Sequence, residues 1–156
     1  MRVAVRGASA GGLTVGAAIN VDPGRFRAAV AEVPFVDVIN TMVDETLPLT
    51  VVEWEEWGNP SIEDEYGWLR RYTPYENIVA GSYPALLITA GLNDPRVQYW
   101  EPAKWTARLR TLPIGDRPVL LKTEMGAGHF ARSGRYDVWM DEAFVLAFIV
   151  GEIARE

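Results

Sequence analysis

The chain of 156 residues contains no cysteine and only one histidine. The lack of cysteine excludes disulfides and thiolate metal sites, and a single histidine argues against a site built from several histidines. We therefore predict no metal and no organic cofactor. Lys and Arg form no cluster, and the net charge is −6. This balance argues against nucleic acid and anionic membranes as partners, and it mildly favours cationic ligands.

Long apolar runs are also missing. The most apolar segment, residues 143–150, is far shorter than the roughly 20 residues of a transmembrane helix. The N-terminal stretch MRVAVRG has too short an apolar run for a signal peptide, so we expect a cytoplasmic protein. The apolar fraction of 49% and the charged fraction of 23% are ordinary for a globular protein. The length suits one compact domain with a core of its own.

Strand patterns alternate with helix patterns along the chain. Apolar runs predict strands at residues 3–5, 26–34, 85–91 and 118–125. Helical patterns fall at residues 12–20, 98–112 and 137–156, with shorter ones at 36–42 and 61–71. Asp137 is expected to be the N-cap of the last helix. This alternation predicts an α/β fold with a mainly parallel sheet of about four strands flanked by helices.

The first predicted strand runs into RGASAGG, residues 6–12, which carries the pattern G-x-S-x-G around Ser9. Between a strand and a helix, this pattern is typical of a nucleophile elbow, a strained turn that exposes a serine hydroxyl. The neighbours of such a serine must be small, because the strand and the helix approach each other closely. The pattern alone is a weak signal, since it also arises by chance.

Two further residues occupy comparable positions at the ends of predicted strands. Asp94 follows the third strand, and His129 follows the fourth. Alone, Asp94 before Pro95 could start a turn, and His129 could be an ordinary loop residue. Together with Ser9 they lie at one sheet edge, in the chain order Ser, Asp, His of α/β-hydrolases. We therefore predict a triad in which His129 activates Ser9 and Asp94 orients His129.

Several stretches resemble the C-terminal part of the catalytic domain of the prolyl oligopeptidase family, in its oligopeptidase B branch. They are RGASAGG, PLTVVEWEEWGNP, YTPYENI, YPALLITAGLNDPRVQYWEPAKW and GAGHFARSGRYD. The resemblance implies a partial α/β-hydrolase fold over residues 1–156, a single portion of a peptidase catalytic domain without the family's propeller. It also implies that the first four strands of the family's sheet lie outside this sequence. In these terms Ser9 is the nucleophile, Asp94 the acid and His129 the base.

The resemblance also suggests residues that bind the substrate. The oligopeptidase B branch cleaves after Arg or Lys, and glutamates matching Glu53 and Glu55 line its pocket for the basic side chain. In an extended segment these two carboxylates would face the same side, and Glu56 would point away. Without the resemblance, a solvated acidic face would be the simpler interpretation. Arg96 is expected to contact the substrate, and the backbone N–H of Ala10 to donate to the oxyanion.

The leading hypothesis is a serine hydrolase that cleaves short peptides or esters after Arg or Lys. One alternative is a small stand-alone carboxylesterase with the same triad. The other is a catalytically incompetent, truncated fragment that self-associates. In the family, a tyrosine upstream of the elbow supplies the second oxyanion donor, and that segment is not in this sequence. The strand at residues 3–5 would be an open edge, so we expect a homodimer or larger self-association.

Overall fold

The computed structural model describes residues 3–130 and 134–155. Its sheet has four parallel strands in the order β1-β2-β3-β4, which confirms the predicted α/β class. The strands are β1 (Ala4–Ala8), β2 (Ala28–Glu32), β3 (Ala85–Gly91) and β4 (Val119–Glu124). Because the strands are parallel and sequential, all four carboxyl ends meet at one edge of the sheet, and this edge positions the candidate site.

The two central strands carry the most deeply buried residues. Ala28–Ala31 of β2 and Ala85–Ile88 of β3 are all 0% exposed. In the register, Val30 pairs with Leu87 and Ala31 with Ile88. A strand covered on both faces needs an uninterrupted apolar run, which is why residues 85–91 were readable as a strand.

Six α-helices surround the sheet in the described part of the chain. They are α1 (Ala10–Val21), α2 (Val38–Val43), α3 (Trp54–Trp57), α4 (Glu63–Arg70), α5 (Trp100–Thr111) and α6 (Arg135–Ala154). One face of the sheet packs against Val15 and Ile19 of α1 and Trp105 of α5. On the opposite face, Val145 of α6 packs against the central strands. The helices therefore cover both faces, as the alternating pattern predicts.

The predicted start of the last helix is wrong. Helix α6 begins at Arg135, and its cap residue is Gly134 with φ 128°. A φ of this size strains any residue with a Cβ, so glycine marks the point where the loop turns into the helix. Asp137 therefore lies in the first turn of α6. There its carboxylate still interacts favourably with the positive end of the helix dipole.

The segment that precedes α4 is more ordered than the sequence indicates. Residues Val51–Glu53 form a 3₁₀ turn that continues directly into α3. Trp54 and Trp57 are three positions apart, so a helix places both on one side. They pack against the cluster that contains Phe35 and Met42, and the indole of Trp54 donates to the carbonyl of Met42 at 3.0 Å. This apolar contact favours helix over the predicted extended backbone.

Much of α6 remains exposed. Trp139 is 59% exposed and Met140 67%. Within the described residues, β1 hydrogen-bonds to a strand only on its β2 side. Among those residues no helix combines the length and apolar character needed to cross a membrane. The predicted self-association stays a prediction, and these two surfaces are where it would occur.

We expect the chain to have the mass of at least two 17.4 kDa chains at micromolar concentration, as measured by light scattering after size exclusion. Burial of apolar side chains is the driving force, at about 25 cal/mol per Å². Met140→Glu should shift the mass towards one chain if α6 forms the contact. An unchanged mass in this variant would place the contact on β1 instead. A single-chain mass for the unaltered protein would contradict self-association altogether.

Candidate functional site

Ser9 lies in a strained turn between β1 and α1. Its φ is 55° and its ψ is −121°, a combination that is costly for a residue with a Cβ. The surrounding backbone holds it there. The Ser9 N–H donates to the carbonyl of Glu32 at 2.9 Å, and the Ser9 carbonyl accepts the N–H of Phe35 at 3.1 Å. These bonds tie the turn to the end of β2, and they give it the backbone shape expected of a nucleophile elbow.

Close backbone contacts explain the glycines around Ser9 unequally. A Cβ on Gly7 would lie 2.3 Å from the carbonyl oxygen of Gly11, and a Cβ on Gly12 would lie 2.5 Å from Cβ of Pro34. A Cβ on Gly11 would meet no atom within 4 Å. Steric contacts therefore require glycine at positions 7 and 12. At position 11 a Cβ would fit, and only the carbonyl oxygen of Gly11 takes part in the close contact with Gly7.

Asp94 and His129 form a direct pair. His129 Nδ1 lies 2.8 Å from Asp94 Oδ2, and both side chains are buried. The other carboxylate oxygen, Oδ1, accepts the backbone N–H groups of Arg96 at 2.8 Å and Val97 at 3.0 Å. These bonds fix the carboxylate, which in turn fixes the imidazole. With Nδ1 facing the carboxylate, Nε2 of His129 is the nitrogen left to accept a proton.

A second close contact brings the two loops of this pair together. A Cβ on Gly91, at the end of β3, would lie 2.2 Å from the carbonyl oxygen of Gly128. The N–H of Asn93 donates to the carbonyl of Ala127 at 3.1 Å. The loop that carries Asp94 therefore packs directly on the loop that carries His129.

The structure thus pairs Asp94 with His129, and it places Ser9 at the same sheet edge. Among the described residues, no hydrogen bond joins Ser9 to His129. Ser9 lines one cavity and His129 lines another. Catalytic hydrogen bonds are often long in free enzymes and shorten when substrate binds. The triad assignment of the three residues stays a prediction.

The cavity beside Ser9 has a volume of about 130 Å³. We call it the Ser9 cavity. Its walls come from the elbow, the 3₁₀ turn with α3, the loop after β3, and residues 35–43. We call residues 35–43, which lead from β2 into and through α2, the α2 segment. The lining residues are Ser9, Ala10, Phe35, Thr41, Met42, Leu47, Leu49, Thr50, Glu53, Glu56, Trp57, Arg96 and Val97.

The acidic residues of this cavity differ from those predicted. Glu53 and Glu56 line it, and Glu55 lies outside the lining. Glu55 and Glu56 are both exposed, whereas Glu53 is half-buried. The predicted extended backbone is wrong here, because residues 51–57 are helical. In a helix, positions i and i+3 share a face and positions i and i+2 do not. Glu53 is further oriented by the indole of Trp57, which donates to its Oε2 at 3.0 Å.

Arg96 and Ala10 also line the Ser9 cavity. The exposed guanidinium of Arg96 lies over the ring of Phe130, 5.5 Å from its centroid. Ala10 is the first residue of α1, so its N–H has no acceptor within the helix. A backbone N–H at this position, next to the serine, can donate to an oxyanion. Their predicted roles, a contact with the substrate for Arg96 and donation to the oxyanion for Ala10, stay predictions.

Glu101, which is not among the residues predicted from the sequence, is a buried carboxyl next to this cavity. Glu101 on α5 is 0% exposed. Its Oε2 accepts the N–H groups of Val36 at 3.0 Å and Asp37 at 2.9 Å, and its Oε1 accepts the hydroxyl of Thr41 at 2.8 Å. Burial raises the pKa of Glu101 to about 7, although these hydrogen bonds oppose the rise.

The spacing of α5 contains a signal for this residue. Glu101 lies four positions before Trp105, and Trp105 lies four positions before Leu109. Residues at this spacing share one helix face, and Trp105 and Leu109 are both 0% exposed. A carboxyl on the apolar face of a helix must be buried with hydrogen-bond partners, so the pattern marks Glu101 as unusual.

The cavity that His129 lines has a volume of about 350 Å³ and is bordered by ion pairs. Arg6 Nε contacts Glu32 at 2.6 Å, and Arg6 Nη2 contacts Glu142 at 2.7 Å. Hydrogen bonds to these carboxylates raise the pKa of Arg6, and the bond to Arg6 lowers the pKa of Glu142. Over the described residues, no group of three His, Cys, Asp or Glu side chains could hold a metal ion.

Comparisons with known proteins give the family of this chain. The model of the prolyl oligopeptidase family of peptidases matches residues 1–155. The chain belongs to the prolyl oligopeptidase family. Protease 2 of Moraxella lacunata is 48% identical over 99% of this chain, and dipeptidyl aminopeptidase BI of Pseudoxanthomonas mexicana is 47% identical over 97% of it.

Solved structures of the prolyl oligopeptidase family share the fold. Oligopeptidase B from Leishmania major superposes with a TM-score of 0.94 and 45% identity over 96% of this chain and 21% of its own. Oligopeptidase B from Trypanosoma brucei, solved with covalently bound antipain, superposes with a TM-score of 0.94. Its sequence is 47% identical, over 98% of this chain and 22% of its own. The partial α/β-hydrolase fold is thereby confirmed. The chain spans about a fifth of the length of these relatives; it covers 22% of protease 2.

Alanine at two elbow positions should affect stability very differently. Gly7→Ala places a Cβ against backbone and should lower the free energy of unfolding by about 1–3 kcal/mol. Gly11→Ala has open space and should change it by less than about 1 kcal/mol. Urea unfolding followed by tryptophan fluorescence measures both. Equal losses in the two variants would contradict the assignment of the close contact to Gly7.

The pKa of Glu101 predicts a pH-dependent stability. Because this pKa is raised from 4.5 to about 7 in the folded protein, the folded state keeps a proton that the unfolded chain has released. The contribution is fully present below pH 4.5 and is lost as the pH rises to about 7. Glu101→Gln should remove up to about 3 kcal/mol of this pH dependence in urea unfolding. Identical pH profiles for the two proteins would contradict it.

Proposed function

We propose that this chain is the part of a serine peptidase that carries its nucleophile, acid and base. In this proposal it hydrolyses peptide or ester bonds after Arg or Lys. The observation that supports it most is the buried Asp94–His129 pair, 2.8 Å apart, at the sheet edge where Ser9 occupies its strained turn. Membership in a peptidase family supports the reaction class.

The chemistry follows from the roles of the three side chains. Ser9 Oγ attacks the carbonyl carbon while His129 Nε2 takes its proton, and the charge on the imidazolium is stabilised by Asp94. His129 then gives that proton to the leaving amine or alcohol. Water, activated by His129, hydrolyses the acyl-enzyme and restores Ser9. The N–H of Ala10 stabilises the oxyanion in both halves of the reaction.

Esters should be better substrates than amides for this chain. Ala10 is the one oxyanion donor that we assign, and removal of one donor from such a pair costs about 10²–10³ in rate. Alkoxide and phenolate leaving groups depart more readily than amines, so their hydrolysis depends less on full oxyanion stabilisation. An activated arginine ester is therefore the substrate of choice for a first assay.

Selectivity for a basic side chain would come from the Ser9 cavity. Glu53 and Glu56 give it two carboxylates, and no cation other than Arg96 is among its lining residues. A guanidinium placed between carboxylates makes charge-assisted hydrogen bonds, which are about twice as strong as neutral ones. Phe35 and Met42 would contact the aliphatic part of the side chain. We therefore assign the basic subsite to Glu53 and Glu56. This pair replaces Glu53 and Glu55, the pair predicted from the sequence.

Three single variants test this assignment. Glu53→Gln and Glu56→Gln should each lower kcat/KM for an arginine ester by about 10–100-fold, because each removes a hydrogen bond between charged groups. In the same two variants, kcat/KM for the matched norleucine ester should change by less than about threefold. Glu55→Gln is the control, because Glu55 is exposed outside the cavity, and it should leave both esters unaffected.

Other results of the same assay would point elsewhere. Losses in Glu53→Gln and Glu55→Gln, with Glu56→Gln unaffected, would restore the pair Glu53 and Glu55. Equal hydrolysis of both esters by the unaltered chain would favour the stand-alone carboxylesterase. If hydrolysis is absent, the chain is better described as a catalytically incompetent fragment. Hydrolysis that is unchanged by Asp94→Asn would contradict the role of Asp94 in a triad. A working triad predicts a loss of about 10⁴ in kcat for Asp94→Asn.

A further inference from the structure

A buried polar cluster around Glu101 adjoins the Ser9 cavity, and its member Thr41 lines the cavity. At its centre the Glu101 carboxyl makes three hydrogen bonds to the segment that leads from β2 into α2, at Val36, Asp37 and Thr41. The carboxyl is absent from the lining of the Ser9 cavity. It therefore acts on the cavity only through the residues that it holds.

Thr41 connects this cluster, through Thr50, to the 3₁₀ turn Val51–Glu53. Its hydroxyl donates to Glu101, and its carbonyl accepts the hydroxyl of Thr50 at 2.8 Å. Thr50 immediately precedes the 3₁₀ turn that ends at Glu53. Thr41, Thr50 and Glu53 all line the Ser9 cavity. Two hydrogen bonds in series therefore join α5 to the start of the turn that carries Glu53.

Asp37 is a charged neighbour of Glu101. Asp37, which donates its N–H to Glu101, also pairs through its carboxylate with Lys104 of α5, and the charge of Asp37 raises the pKa of Glu101. Lys104 lies over the ring of Tyr75, 4.9 Å from its centroid. Removal of the Glu101 carboxyl would leave two backbone N–H groups buried without acceptors, which is far costlier than loss of a surface bond.

We propose that Glu101 is a positioning residue for the Ser9 cavity, holding the α2 segment and, through Thr41 and Thr50, the turn that bears Glu53. The cavity's role as a basic subsite rests on the proposed function; the positioning itself does not. Glutamine should preserve it, because its carbonyl can accept the two N–H groups and its amide can donate to Thr41. Alanine should abolish it.

Amide hydrogen exchange resolved by NMR tests the positioning directly. In Glu101→Ala, exchange should accelerate by at least about tenfold at Val36 and Asp37, and also at Glu53, whose N–H donates to the carbonyl of Leu49 at 3.0 Å. Glu101→Gln should stay close to the unaltered protein. Thr106→Val is the matched control, because it removes another buried hydrogen bond of α5, to Pro102, away from this segment.

A ligand measurement separates this inference from the proposed function. Benzamidinium is the probe, with its dissociation constant measured by NMR titration. Glu101→Ala should raise this constant on the order of fivefold, and Glu101→Gln and Thr106→Val should leave it unchanged. If the unaltered protein does not bind benzamidinium, the basic subsite is wrong, and the exchange at Glu53 still decides the positioning.

Two results would overturn the inference. One is acceleration at Val36 and Asp37 with unchanged exchange at Glu53, which would confine Glu101 to local structure. The other is acceleration at Glu53 of the same size in Thr106→Val, which would reflect general destabilisation. If Glu101→Ala does not fold, Thr41→Val replaces it. That variant removes only the hydrogen bond from Thr41 to Glu101. It should accelerate amide exchange at Glu53 and leave exchange at Val36 and Asp37 unchanged.

Discussion

The burial of β2 and β3 on both faces is the constraint on which the rest of the structure depends. Their central residues are inaccessible to solvent, so no reactive side chain can work from the middle of the sheet. In these two strands the polar residues, Glu32 and Thr89, lie towards the carboxyl ends. Because all four strands run in parallel, those ends share one edge, and the loops beyond them bring Ser9, Asp94 and His129 to it.

Close backbone contacts also occur near that edge. The loop of Ser9 folds back so tightly that Gly7 touches the carbonyl of Gly11, and Gly91 touches the carbonyl of Gly128 in the loop of His129. Each contact excludes a Cβ, and each lies within a few residues of a proposed catalytic side chain. The strain at Ser9 is therefore supported by its surroundings, as strained functional residues generally are.

The buried carboxylates of Asp94 and Glu101 differ in their hydrogen-bond partners, and these partners suit them to different roles. Asp94 uses one oxygen for two backbone N–H groups and keeps the other for His129, so it can stabilise an imidazolium. Glu101 uses both oxygens on the α2 segment and faces no base. The first carboxylate is therefore suited to chemistry at the sheet edge. The second is suited to holding a wall of the cavity in place.

The sequence predicted those features that a linear pattern encodes. The strand at residues 85–91 and the elbow around Ser9 were readable because burial and close approach leave characteristic residue runs. The helical turn at Glu53 was not, since its stability comes from tryptophans that pack against residues distant in the chain. Glu101 had a local signal in its spacing to Trp105, but its partners lie 60 or more residues away.

Labelling by a fluorophosphonate is the measurement that tests the central claim most directly. Such a probe reacts with an activated serine, and intact mass spectrometry counts the adducts. We predict one adduct on the unaltered protein, lost in Ser9→Ala and strongly reduced in His129→Ala. A folded protein that takes up no label, or that labels equally in His129→Ala, would contradict the claim that this chain assembles a working Ser9–His129–Asp94 site.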